Sequence, residues 1–308
     1  MTMVTREMTD GRFVRQPNRF TGTITADGSS GYPAESGRYR LLVSYACPWA
    51  HRSLIVRALL GLDEVIGLGV VDPLRDERGW RFTDRDPVTG ATFLSELYLA
   101  SDASYEGRYT VPCVWDTVTG RLVTNDFPAI TTMFETQFTD YHPTGAPDLY
   151  PVELRAGIDE LNELIYATVN NGVYRAGFAT GQGAYEEAVD ALFATLDRLE
   201  ERLGAHRYLF GDRVTEADVR LYPTLARFDA VYHGHFKCNL RRLTDYPNLW
   251  AYARDLYQQP AFGDTTDFDQ IKRHYYMTQG NINPSGVVPK GPLVDWTEPH
   301  GRDALTSS

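Results

Sequence analysis

The chain has 308 residues, enough for two domains with substantial cores. With 43% hydrophobic residues it reads as a packed globular protein, and its formal charge of −11 disfavours nucleic-acid partners, because an acidic surface repels phosphate backbones. No run approaches the roughly 20 apolar residues of a membrane span, and the opening stretch Met1 to Phe13 carries acids and no apolar core, so cytoplasmic residence is the expectation.

Residues 1–36 are rich in Gly, Ser, Thr and Arg and read as an irregular N-terminal extension. A first domain, of α/β type, is expected over 37–148. Tyr39 to Tyr45 has the apolar density of a buried strand. Cys47-Pro48 follows, and then the run Leu54 to Leu60, with Pro48 at the first helical position and Gly61 just past the end. Val65 to Val71 reads as a second strand, completing the strand–helix–strand unit that builds a parallel sheet. Residues 72–108 form a long polar insertion, too long for an ordinary connection and so either functional or partly ordered on its own. Thr110 to Trp115 and Arg121 to Thr124, joined by Thr119-Gly120, have the pattern of a β-hairpin. A helix starting near Pro128 closes the domain.

A helical domain is expected over 149–266. Leu154, Ile158, Leu161, Ile165 and Val169 recur at helical spacing, as do Val189, Leu192, Leu196, Leu199 and Leu203, with Gly204 as the expected stop. Thr215-Glu216-Ala217-Asp218 resembles a capping box opening a helix through Leu225. Residues 267–308 form a C-terminal extension, and its Pro- and Gly-rich part from Gly280 should be an extended strap. The fold class is therefore α/β followed by all-α.

Three cysteines, Cys47, Cys113 and Cys238, are too few and too uneven for a disulfide framework and suit a reducing compartment. Cys47 lies between strand and helix. Orphan backbone N–H groups and the positive end of the helix dipole face its sulfur, which favours the thiolate. The residue three later is Ala50, so no resolving cysteine is at hand and an external thiol must complete any turnover. Cys113 belongs to a strand and should be core. Cys238 follows His233 and His235, but three ligands without a fourth do not make a zinc site, and no metal is expected. Lys237, Arg241 and Arg242 read as a solvated helix end. Val111-Pro112 before a strand calls for an edge, a bulge or a cis bond.

Ser44-Tyr45-Ala46-Cys47-Pro48-Trp49-Ala50-His51-Arg52 resembles the signature of the glutathionyl-hydroquinone reductases, the Xi class of glutathione transferases. Gly79-Trp80, Gly107 to Pro112, Asn171 to Ala179, His235 to Asn239, Ile271 to Tyr276 and Ile282 to Gly286 are similar to that family, in order, across about residues 12–292. The resemblance implies a thioredoxin-like domain followed by an all-helical one, usually as a homodimer. It implies reductive cleavage of S-conjugated hydroquinones through a mixed disulfide on Cys47, with a low-molecular-weight thiol as cosubstrate. It further implies a cis Pro112 that frees the Val111 backbone for a bound thiol, and Tyr174 with Tyr275 or Tyr276 on the ring oxygens. Trp80 becomes a wall of the thiol site and Arg108 a partner for a thiol carboxylate.

One position departs from the pattern. Glutathione transferases carry an acidic or amide residue followed by Ser, which hold the γ-glutamyl head. Here Asp126 is followed by Phe127. Asp126 keeps an acceptor for an ammonium or a hydroxyl, but Phe127 offers a carboxylate no donor. Mycothiol, which lacks the γ-glutamyl head, would lose nothing, and Phe127 could pack against its sugar. The cosubstrate is thus glutathione or mycothiol. Two other functions share the fold. One is an Omega-like thiol transferase or dehydroascorbate reductase, which needs no ring-binding tyrosines. The other is a non-catalytic interaction module, which needs no activated cysteine.

Overall fold

The computed structural model describes residues 7–305. In chain order its elements are β1 (Met8–Thr9), β2 (Arg12–Phe13), β3 (Tyr39–Val43), α1 (Pro48–Leu59), β4 (Gly67–Val70), β5 (Arg75–Asp76), β6 (Gly79–Trp80), α2 (Leu94–Ser101), β7 (Cys113–Asp116), β8 (Arg121–Thr124) and α3 (Phe127–Gln137). Helices follow: α4 (Arg155–Ile165), α5 (Gly172–Gly177), α6 (Gln182–Ala205), α7 (Glu216–Arg227), α8 (Pro247–Tyr257), α9 (Pro260–Gly263) and α10 (Phe268–Thr278).

The chain divides into two compact units. Gln16–Pro147 with Asp269–Thr278 make the first. Asp148–Phe268, the segment ending at Arg15 and the segment from Gln279 make the second. The described parts of the expected extensions, 7–36 and 267–305, are divided between the two units.

The first unit is built on a sheet in the order β4-β3-β7-β8. β3 pairs in parallel with β4, Val43 opposite Val70, and antiparallel with β7, Leu42 opposite Cys113. All five residues of β3 are buried, so the strand does not alternate in and out, and its one charged residue, Arg40, is paired with Asp86. The edge of β8 is covered by the N-terminal segment: the Gly22 N–H donates to the Val123 carbonyl at 2.9 Å and the Asn125 N–H to the Phe20 carbonyl at 2.9 Å. A Cβ on Gly22 would lie 2.6 Å from the Val123 oxygen, so this approach requires glycine. Residues 72–108 are partly ordered on their own: they hold the β5–β6 hairpin and α2, whose Leu94, Leu97 and Tyr98 are buried. That apolar face is only three residues long, too short to stand out by periodicity.

In the second unit α4 runs into a π-helical turn, Tyr166–Asn170, and α7 into another, Phe228–Tyr232, so α7 continues past Leu225. The capping box forms, with the Thr215 N–H donating to the Asp218 carboxylate at 2.8 Å. α6 passes through Gly204 to Ala205. Its end is satisfied from elsewhere: Arg302, 2% exposed, donates to the carbonyls of Leu203 at 3.0 Å and Arg207 at 2.7 Å and also to that of His206. Among the described residues the tail from Gly280 holds no α-helix, and it includes a 3-10 turn, Arg302–Leu305.

Candidate active site

Cys47 is set by a turn that closes on itself. Its N–H donates to the Ser44 carbonyl at 3.0 Å, and its own carbonyl accepts the first helical bond, from the His51 N–H at 3.0 Å. Cys47 is the N-cap of α1 in extended conformation, with Pro48 fixing the first turn. Its Sγ lies 3.3 Å from the Val111 carbonyl, to which the thiol donates. At 7% exposure Cys47 is sheltered.

The Val111–Pro112 peptide bond is cis. The segment before it is held from two sides. The Tyr98 hydroxyl donates to the Thr110 carbonyl at 2.7 Å, and Asn125 Nδ2 donates to Thr110 Oγ1 at 3.3 Å. Burial pushes the Tyr98 phenol well above its ordinary range, so it stays a donor.

Trp80, 4% exposed, stacks on His274 with ring centroids 4.8 Å apart and planes 16° from parallel. His274 Nδ1 sits 2.6 Å from the Pro73 carbonyl, which can only accept, so Nδ1 carries the hydrogen. Gly79, at φ +93°, turns the hairpin against the Tyr109 ring, leaving Trp80 to face α10. Tyr275 follows on α10, 1% exposed, and Tyr276 is half-buried, its phenol raised by burial.

Arg108 is held through its backbone. Its N–H donates to Gln16 Oε1 at 2.8 Å, and Gln16 Nε2 donates back to its carbonyl at 3.3 Å. Asp126 is the N-cap of α3 and accepts from Asn18 Nδ2 at 3.1 Å. Phe127 is 9% exposed; its ring packs on Trp49 at 4.6 Å, with the Arg52 guanidinium 4.9 Å from the Trp49 ring and 5.7 Å from the Phe127 ring. Trp49 thus occupies part of the ring surface expected to serve as a sugar platform. What Phe127 changes is the missing hydroxyl.

Cys47, Trp80, Arg108, Val111, Pro112, Asp126, Phe127, Tyr275 and Tyr276 all belong to the first unit. Tyr174 belongs to the second, on α5, 8% exposed among the rings of Phe178, Tyr232 and Phe236. Gln16, Asn18 and His274 escaped the sequence reading. His274 lies inside a motif already noted, whereas nothing local marks Gln16 or Asn18. His235 bonds Gln279, 2.9 Å between Nε2 and Oε1, and among the described residues no three His, Cys, Asp or Glu side chains are grouped to hold a metal.

The glutathione S-transferase N-terminal domain model matches residues 46–137 and the C-terminal domain model residues 182–255. Glutathionyl-hydroquinone reductase YqjG of Escherichia coli is 50% identical over 307 residues, covering 96% of this chain and 93% of that protein. The chain belongs to the glutathionyl-hydroquinone reductases, the Xi class of glutathione transferases. A glutathione transferase structure from Gordonia bronchialis superposes with a TM-score of 0.91 at 56% identity, covering 93% of this chain and 91% of that one. The glutathione-bound structure of YqjG gives 0.88 at 49% identity, covering 92% and 96%. Within this glutathionyl-hydroquinone reductase Cys47 alone caps a helix. Burial raises the thiols of Cys113 and Cys238 well above their ordinary range.

Proposed function

We propose that the protein cleaves S-conjugated hydroquinones to free hydroquinones, using the Cys47 thiolate as nucleophile and a low-molecular-weight thiol to regenerate it. The observation that carries this is Cys47 at the N-terminus of α1 with its sulfur turned to the Val111 carbonyl. Opposing effects meet at that sulfur. The hydrogen bond to Val111 favours the thiol, while the helix terminus favours the thiolate. Burial also favours the thiol. S–H is a weak donor, a helix N-terminus is worth about 0.3–2 kcal/mol to an adjacent anion, and we take the helix terminus to prevail.

In the reaction the thiolate attacks the thioether sulfur of the ring's keto tautomer. An S–S bond forms and the C–S bond breaks. Its electron pair goes to the ring, which leaves as an enolate and becomes hydroquinone once its oxygen takes a proton. A second thiol then attacks the mixed disulfide and frees Cys47. Overall the conjugate is reduced by two electrons and the thiols are oxidised to a disulfide. Tyr174, with Tyr275 or Tyr276, donates to the ring oxygens and stabilises the enolate. Trp80 walls the thiol, the Val111 backbone beside Pro112 binds its cysteine amide, and Arg108 stands ready for a carboxylate on those thiols, such as glutathione, that carry one.

The thiol we propose lacks a γ-glutamyl head, as mycothiol does. The support is Phe127, which takes away a hydroxyl donor, and Asp126, whose carboxylate repels an anion and can accept from hydroxyls. A homodimer in the cytoplasm completes the proposal; that none of the three cysteines is in a disulfide suits that compartment.

The test is incubation with hydroquinones conjugated to glutathione or to mycothiol, following hydroquinone release. The ratio of release to reduction of a simple mixed disulfide should fall about 10–1000-fold in Tyr174→Phe, the range for a lost transition-state hydrogen bond. Equal loss on both substrates would assign the tyrosine to packing instead.

A further inference from the structure

The segment before β3 carries no catalytic group in the account above, yet it is built into the surroundings of Tyr174. β1 and β2 turn at Gly11, whose carbonyl accepts from the Thr180 N–H at 3.1 Å. Arg12 pairs with Glu187 at 2.7 Å, and Glu187 also pairs with Arg175 of α5 at 2.9 Å. Phe13 is 5% exposed and packs on Phe178 at 5.3 Å and Tyr174 at 6.5 Å. These contacts fix the path of the chain up to Arg15.

Arg15 then places its guanidinium carbon 5.2 Å from the centroid of the Tyr174 ring. Its Nε and Nη2 both donate to Asn171 Oδ1, each at 3.2 Å. Asn171 is the N-cap of α5, and its carbonyl accepts from the Tyr174 N–H at 3.1 Å. One residue thus steers both the ring of Tyr174 and the backbone that carries it. A cation on a phenol ring is attracted to its electron-rich face. It also stabilises the negative charge that gathers on the phenol oxygen as the hydroxyl donates to an oxyanion.

We propose that Arg15 is a positioning residue for Tyr174: its guanidinium fixes the ring and makes its hydroxyl a stronger donor to the departing hydroquinone oxygen. The segment from Met8 to Arg15 is then part of the catalytic apparatus rather than a covering strand. This rests on the role given to Tyr174 above.

The test is a double-mutant cycle read on hydroquinone release, with mixed-disulfide reduction and thermal midpoint measured on every variant. Arg15→Met should lower kcat for the conjugate about 3- to 30-fold, the span of a partly desolvated cation–π contact. In a Tyr174→Phe background the same substitution should change kcat less than about twofold, because the group it acts through is gone. Arg15→Lys should recover part of the loss by keeping the charge. An equal loss in both backgrounds, or an equal loss on the disulfide, would make Arg15 a structural residue and overturn the proposal. No loss in Arg15→Met with Tyr174→Phe still impaired would overturn it too, while leaving the role of Tyr174 standing. A silent Tyr174→Phe would remove that role and this proposal with it.

Discussion

Cys47 and Cys113 belong to the same sheet unit, and only one of them is placed for chemistry. Cys47 stands where β3 has ended and α1 begins, with its sulfur against the carbonyl of Val111. Cys113 stands two residues past that carbonyl, inside β7 opposite Leu42 and fully buried. Its thiol is raised by desolvation, with only a Tyr98 interaction to offset it. The difference is one of backbone context rather than of depth, since both side chains are under 10% exposed. A helix terminus brings unsatisfied donors to a sulfur, and a strand interior brings none.

The comparison breaks most sharply under mutation. Cys47→Ala should reduce hydroquinone release to background. Cys113→Ala should keep kcat and lower stability by about 1 kcal/mol for the lost apolar contact. Turnover surviving in the first variant would end the mechanism. Alkylation sharpens it next: under native conditions one thiol per chain should react, with a half-maximal rate below pH 8.5, about the value of an unperturbed cysteine. All three thiols should react after denaturation. Mass spectrometry of the labelled peptides decides which one it is, and a midpoint at or above pH 8.5 would remove the argument from the helix terminus.

A smaller effect concerns the thiol that resolves Cys47. Phe127→Ser should raise kcat/KM with glutathione about tenfold relative to mycothiol, the value of a buried polar group regaining a partner. It should also lower the thermal midpoint, because the Phe127 ring packs on Trp49. Efficient wild-type turnover with millimolar glutathione, unimproved by the substitution, would return the enzyme to ordinary glutathione use.

The smallest effect lies in the strand that carries Cys113. Burial raises the Asp116 carboxyl, but Arg38 and Thr119 outweigh it and hold the group below its ordinary 3.8. A lowered carboxyl contributes stability that is present above the unfolded value and lost as pH falls through the folded one. Thermal midpoints should therefore drop below about pH 3.8, and less steeply in Asp116→Asn. An unchanged slope would place the acid sensitivity elsewhere.

The parts of this site that were legible in the sequence are those whose causes are local. Pro48 and Gly61 bracket α1 within fourteen residues, and Thr119-Gly120 turns β7 into β8 with Gly120 at φ +63°. Such signals need only neighbours along the chain. α2 was lost in a polar stretch because three buried side chains do not establish a period. Gln16 and Asn18 were out of reach for another reason. They act on Arg108 and Asp126, 92 and 108 residues away, and a glutamine or asparagine in a loop looks the same whether it faces water or a partner. His274 is intermediate: its motif was visible, but its stack on Trp80 joins residues that only the fold brings together.

Arg302 gives the tail a reach that its irregular course hides. Its guanidinium gathers carbonyls from Leu203, His206 and Arg207 at the end of α6, and from Asn248 at the start of α8 at 3.4 Å. A helix end normally leaves its last carbonyls to solvent or to a glycine turn. Here one side chain a hundred residues downstream replaces both. Deuterium uptake near the close of α6 becomes a gauge of the tail's integrity. Clipping the chain ahead of Arg302 should register there before any change reaches Cys47.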